Sequence, residues 1–180
     1  GRPRVFDQGL AGFVLGMNDP ALGHVSAVLL PEAPGTALER AALDDAGALR
    51  LLGAAYSANA YAFGLRYQNC NQWVAELLAI AWGDGSGGAG ARARAQAWLR
   101  EQGYRPTAFE LGWRPLMLAV GFVPWLHRDD HPDDDLAQLV FRVSMPASLE
   151  DFVRRRHADA RRVEFCHAGD QIVIRRGWDP

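Results

Sequence analysis

The chain has 180 residues, 49% of them apolar, with 19 basic and 21 acidic side chains and a formal net charge of -2. That length suits one domain with a sizeable core, and the charge balance lacks the basic excess that nucleic-acid binding requires. Every basic residue is arginine, which excludes a lysine Schiff base or lysine general base, and no apolar run has the length needed to cross a bilayer.

The chain opens at Gly1-Arg2-Pro3-Arg4 with no cap or turn and no methionine, and it reads as a single domain, residues 1–180, that lacks an N-terminal segment. Val5 and Phe6 read as a short strand before the Asp7-Gln8-Gly9 turn. Leu10 to Leu15 reads as a short helix, broken at Asn18-Asp19-Pro20. His24 to Leu30 is β-rich and bounded by Gly23 and Pro31, which predicts a strand. Thr36 and Glu39 have the capping-box spacing, so an alanine- and leucine-rich helix should follow. Asp44 and Asp45 should open another helix, carrying Leu49, Leu52 and Tyr56.

The strongest local signal is Tyr67-Gln68-Asn69-Cys70-Asn71-Gln72-Trp73-Val74. Asn69 is a strong N-cap type, and Gln72 stands three residues later, as a capping box requires. Cys70 then falls at the first helical position, where the helix dipole and free backbone N–H groups favour a thiolate. Val74 and Leu77 follow at i+4 and i+7, which places Cys70 on the core-facing stripe. The helix should run to about Trp82. Gly83 to Gly90 reads as a flexible surface loop. Arg92 to Gln102 reads as a helix ended by Gly103, and Pro115 suits the start of a helix to about Val120. Leu136 to Val143 reads as a strand. Ser148 and Asp151 should cap a helix with an acidic first turn and a basic last turn. Arg161 to Phe165 and Gln171 to Arg176 should form a hairpin around Cys166 to Asp170. Helices early and antiparallel strands late imply an α+β fold.

Cys70 has two readings, a nucleophile at a helix start or a small core residue. A thiol enzyme needs a base within hydrogen-bond reach, and the chain offers five histidines. His24 lies on a strand that could aim it inward. His157 ends an arginine-rich helix, where the dipole accounts for it. His167 reads as a turn residue. His127 and His131 flank Asp130 at i, i+4, a spacing that could hold a divalent metal on a helix; Pro132 opposes a helix there, and a solvated loop is the plainer reading. His131 with Asp130 could also rim a pocket. Cys70 and Cys166 are the only cysteines. Paired C-x-x-C spacing is absent, so no structural zinc site is expected, and a Cys70–Cys166 disulfide is open.

Asn69-Cys70-Asn71-Gln72-Trp73-Val74 resembles the Asn-Cys-Glu-His-Phe-Val element of the lecithin:retinol acyltransferase group, in the NlpC-like branch of papain-fold thiol enzymes. More closely, the chain is similar to an uncharacterised bacterial family, domain of unknown function 2145. That likeness rests on Phe6 to Phe13, Tyr67 to Val74, His127 to Pro132 and Ser144 to Ser148. It implies a papain-like fold with the cysteine helix packed on an antiparallel sheet. It also implies a secretory signal in many members, hence a periplasmic or secreted location. Relatives carry a Tyr-Ser-His strand upstream of the point where this chain begins, and that histidine is the family's base; His24 is the substitute within this chain.

The expected function is a thiol hydrolase or acyltransferase acting on an amide or ester in a small-molecule, peptide or acyl substrate. Cys70 would be the nucleophile and His24 the base, with Asn69, Gln72, Trp73, Asp130 and His131 shaping the site. No cofactor or metal is called for. The alternatives are a non-catalytic envelope binding domain, with Trp113, Trp125 and Trp178 as exposed aromatics, and a metal site at His127, Asp130 and His131. Oligomeric state is left open.

Overall fold

The computed structural model describes residues 22–83, 88–112, 123–168 and 171–178. The strand at Val5 and Phe6, the helix at Leu10 to Leu15, the helix after Pro115, Trp113 and the centre of the Gly-rich loop lie outside them.

Five strands and six helices are seen among the described residues. Strand β1 (Leu22–Leu29) leads into helices α1 (Glu32–Leu43) and α2 (Asp45–Arg50). An irregular stretch then reaches α3 (Cys70–Trp82), followed by α4 (Ala91–Glu101), β2 (Thr107–Glu110), α5 (Asp133–Ala137) and β3 (Val140–Val143). Helix α6 (Pro146–Arg156) and the hairpin β4 (Arg161–Ala168) and β5 (Gln171–Arg176) complete the chain. The fold is mixed α+β with two antiparallel sheets, one ordered β1-β4-β5 and one of β2 and β3.

Local signals set several boundaries. Helix α3 starts at Cys70 and ends at Trp82, as its cap and apolar content predict. Helix α4 gives way to Gly103, whose φ of +71° only glycine adopts freely. Other starts shift. Helix α1 begins after Pro31, four residues before Thr36, and Thr36 lies inside it. Pro34 does not prevent this, because the first N–H groups of a helix have no intrahelical partner to lose. Helix α2 ends at Arg50, so Leu52 and Tyr56 lie beyond it and are exposed. The acidic run after His131 is a short helix, with Pro132 at its N-cap and three aspartates in its first turn. It takes Leu136 out of the expected strand, which shrinks to Val140–Val143 after Leu139 turns the chain at φ 59°. Helix α6 starts at Pro146, and Ser148 Oγ accepts the Met145 N–H at 3.2 Å. Strand β4 runs on through Cys166 and His167, which were expected in the turn.

The main packing partners of the cysteine helix are α1 and α4. Ala75, Leu78 and Ala79 of α3 meet Ala95 and Leu99 of α4 and Phe152 of α6 in the principal core, which the sheet joins through Val28. The face of the sheet bearing Val28 turns toward α6, where Ser26 and Arg162 both bond Glu150. The opposite face leaves Leu29, Phe165, Ile172 and Ile174 exposed.

Candidate functional site

Asn69 holds the start of α3 from several sides. Its backbone is extended (φ -102°, ψ 170°), and its Oδ1 accepts the Gln72 N–H at 2.7 Å. Its Nδ2 donates to the Ala58 carbonyl at 3.3 Å and the Ser144 carbonyl at 3.2 Å. The cap therefore also ties two distant segments to the first turn. Gln72 does not complete the expected reciprocal box. Its Nε2 instead donates to the carbonyls of Tyr61, Ala62 and Gly64, at 3.3, 3.3 and 2.9 Å, and clasps the preceding loop.

Cys70 is exposed, contrary to the i+4, i+7 reading. The buried face of α3 is carried by Gln72, Ala75, Glu76, Leu77, Leu78 and Ala79. Cys70 falls beside that stripe, because Gln72 and Glu76 take positions that apolar spacing alone assigns to hydrophobic residues. The thiol opens on a hollow of about 520 Å³, whose walls include Leu52, Tyr56, Trp73 and Val74. Trp73 is fixed there by its indole N–H, which donates to the Ala48 carbonyl at 3.1 Å. Among the described residues, neither a histidine nor a carboxylate lines this hollow.

Beneath Cys70 is a polar frame that sequence reasoning missed. Glu76 is buried and accepts from Arg92 Nε at 2.9 Å, from Gln96 Nε2 at 2.8 Å and from Gln68 Nε2 at 2.7 Å. Burial still pushes its carboxyl above the ordinary value, against the pull of these donors. Arg92 also donates to the carbonyls of Leu65, Gly64 and Tyr67, at 2.8, 3.2 and 3.2 Å. The Gln68 side chain accepts the Gly53 N–H at 2.7 Å. The loop leading into Cys70 is thus pinned by a buried ion pair. The available signal was a single charge, Glu76, in the otherwise apolar run Trp73 to Ala79.

The segment from His127 to His131 packs against this same loop. The His127 ring stacks on Tyr67 with centroids 4.1 Å apart. Asn59 accepts the His127 N–H at 2.9 Å and donates to its carbonyl at 2.7 Å. His131 Nε2 donates to the Asn59 carbonyl at 2.7 Å, and Asp130 Oδ2 accepts the Tyr61 N–H at 3.0 Å. Burial raises the Asp130 carboxyl. His127, Asp130 and His131 do not gather three ligand atoms at one point, and their bonds hold backbone. Asn59 organises this corner and carried no recognisable sequence signal.

His24 stands elsewhere. It lies in β1 opposite Cys166, and its Nε2 pairs with Glu164 Oε1. Cys70 and Cys166 are both free thiols, so the disulfide considered above is not formed. Of the aromatics, Trp125 is exposed. Trp178 packs on the core edge and donates its indole N–H to the Ala160 carbonyl at 3.0 Å. His157 is not simply a dipole partner at the end of α6. Its ring meets Trp82 edge-on at 4.5 Å, and burial with the Arg156 charge lowers its pKa.

Three of the four stretches that carry the family likeness therefore meet around Asn69 and Tyr67: Tyr67 to Val74, His127 to Pro132 and Ser144 to Ser148. The fourth, Phe6 to Phe13, lies outside the described residues. The family model described as "Uncharacterized protein conserved in bacteria (DUF2145)" matches residues 1–153, and the chain belongs to that family. Neither a curated protein nor a solved structure matches it.

Proposed function

We propose that this bacterial chain is a thiol hydrolase or acyltransferase domain of papain-like, NlpC-type descent, with Cys70 as nucleophile. One observation carries the reading: Cys70 is exposed at the first position of a side-chain-capped helix and opens on an apolar hollow. The thiolate sulfur would attack the carbonyl carbon of an amide or ester. The developing oxyanion would meet the free N–H groups of the first turn of α3. Collapse would release the amine or alcohol, protonated by the imidazole that had taken the Cys70 thiol proton, and leave an acyl-thioester, which water or a second nucleophile then cleaves. The apolar walls suit an acyl or apolar peptide group. An envelope location and peptidoglycan-peptide or lipoprotein-acyl substrates follow by analogy with the group the chain resembles. His24 faces Glu164 and Cys166, so the base is assigned to a Tyr-Ser-His strand of the kind that relatives carry.

The second reading is a non-catalytic envelope binding domain. It is favoured by the lack of an imidazole or carboxylate around the hollow among the described residues.

The rate of Cys70 alkylation by iodoacetamide against pH, in a Cys166→Ser background, separates the two. The enzyme reading expects a plateau already reached near neutral pH, and loss of any turnover in Cys70→Ala with the fold retained. A rate that rises only around the ordinary thiol pKa of about 8.5 sets the catalytic reading of these 180 residues aside for the binding one.

A further inference from the structure

A second cluster of reactive side chains lies on the three-stranded sheet, outside the Cys70 site. The antiparallel register sets His24 of β1 opposite Cys166 of β4, and Ser26 opposite Glu164. Opposed residues share a face, as do residues two apart on one strand, so His24, Glu164 and Cys166 point the same way. One ligand atom from each lies within 4.8 Å of the other two. It is the only such group of three among the described residues.

We propose that His24, Glu164 and Cys166 form a binding site for a divalent transition metal of the zinc class. The donor set decides the class. An imidazole nitrogen, a carboxylate oxygen and a thiolate sulfur suit zinc or cobalt, whereas magnesium and calcium take oxygen donors. The arrangement also argues against a second nucleophile–base relay. A relay runs in line, with the imidazole between thiol and carboxylate; here the three donor atoms converge.

The surroundings support the carboxylate's role. Glu164 is buried, and its two oxygens are divided. Oε1 faces His24, while Oε2 accepts from Arg162 at 3.2 Å, with Arg175 at 4.0 Å. An outer partner of this kind fixes the orientation of a ligating carboxylate. Arg162 is shared with Glu150 at 2.8 Å, so two carboxylates balance the two guanidiniums near the site. Binding would form metal–nitrogen, metal–oxygen and metal–sulfur bonds and release the Cys166 thiol proton to solvent. His24 is exposed, which leaves a fourth tetrahedral position open to water. The site would clip β1 to the C-terminal hairpin, two segments about 140 residues apart.

The test uses the untagged 180-residue chain carrying Cys70→Ser, which removes the other thiol. Cobalt(II) should bind with one-to-one stoichiometry and give a thiolate-to-metal charge-transfer band in the near ultraviolet. Zinc(II) should displace it and raise the melting temperature. Adding Cys166→Ser should abolish the band. His24→Gln, a change at an exposed position, should weaken zinc binding by more than about tenfold, since even outer-shell losses cost that much. Far-ultraviolet circular dichroism checks that each variant folds. Absence of the band, a band that survives in Cys166→Ser, or an unchanged zinc affinity in His24→Gln overturns the site.

Discussion

The two cysteines of this chain sit in contrasting surroundings. Cys70 is exposed above a frame of buried amide, guanidinium and carboxylate groups, and its own hollow holds no acid or imidazole among the described residues. Cys166 is half-buried in the middle of a sheet, beside an imidazole and a carboxylate that arginines steady. The first is positioned by a helix start and the loops tied to it. The second is positioned by strand register. A thiol held at a free helix end suits attack on a substrate, whereas a thiol converging with other donors suits capture of an ion.

The frame beneath Cys70 is the place where that contrast breaks most readily. Glu76→Ala would strand the Arg92 guanidinium in the interior, and loss of one partner of a buried pair costs about 3–5 kcal/mol. Urea unfolding should show a loss of that size. The helix start should also loosen, so that Cys70 alkylation changes while cobalt binding at Cys166 persists.

A smaller effect is expected at the cap. Asn69→Ala removes the bond to the Gln72 N–H and leaves the Ala58 and Ser144 carbonyls without its amide. The expected loss is about 1–2 kcal/mol by urea unfolding, typical of a cap. A loss below about 0.5 kcal/mol would place Asn69 among ordinary surface positions and remove the physical basis for a rigid Cys70 mount.

The smallest effect is at His157, which joins the two regions by packing from α6 onto Trp82 of α3. Its folded pKa is lowered by burial first and by Arg156 second. The neutral ring is therefore the form the fold prefers. The unfolded chain takes up a proton below about pH 6.5, and the folded chain resists doing so. The His157 contribution is complete above that value and shrinks as pH falls through it, levelling off below the lowered folded pKa. Urea midpoints at about pH 7.5 and about pH 5.5 should differ less in His157→Phe than in the parent chain. An equal drop in both would assign the pH dependence to other groups.

Much of the frame of the molecule was legible in the sequence. Asn69 before Cys70 marked the start of α3, Gly103 the end of α4, and the two β-rich runs near the C-terminus the β4–β5 hairpin. The short strand Thr107–Glu110 was missed, since four residues carry too little alternation to be seen. Gln72 was seen as a cap partner and proved to be a clasp, because a long amide beside a loop finds more carbonyls there than at its own helix end.

What the sequence determined by itself is whatever closes within a few residues: caps, helix ends at glycine, a hairpin. These form from groups that neighbour one another along the chain, at little entropic cost. What only the tertiary structure decided is which face each element buries and what meets across long separations. Cys70 lies at the surface because Gln72 and Glu76 found buried partners in other segments. His24 reached Cys166 and Glu164 instead of the Cys70 hollow because β1 pairs with β4, a pairing between segments about 140 residues apart that neither strand signals by itself.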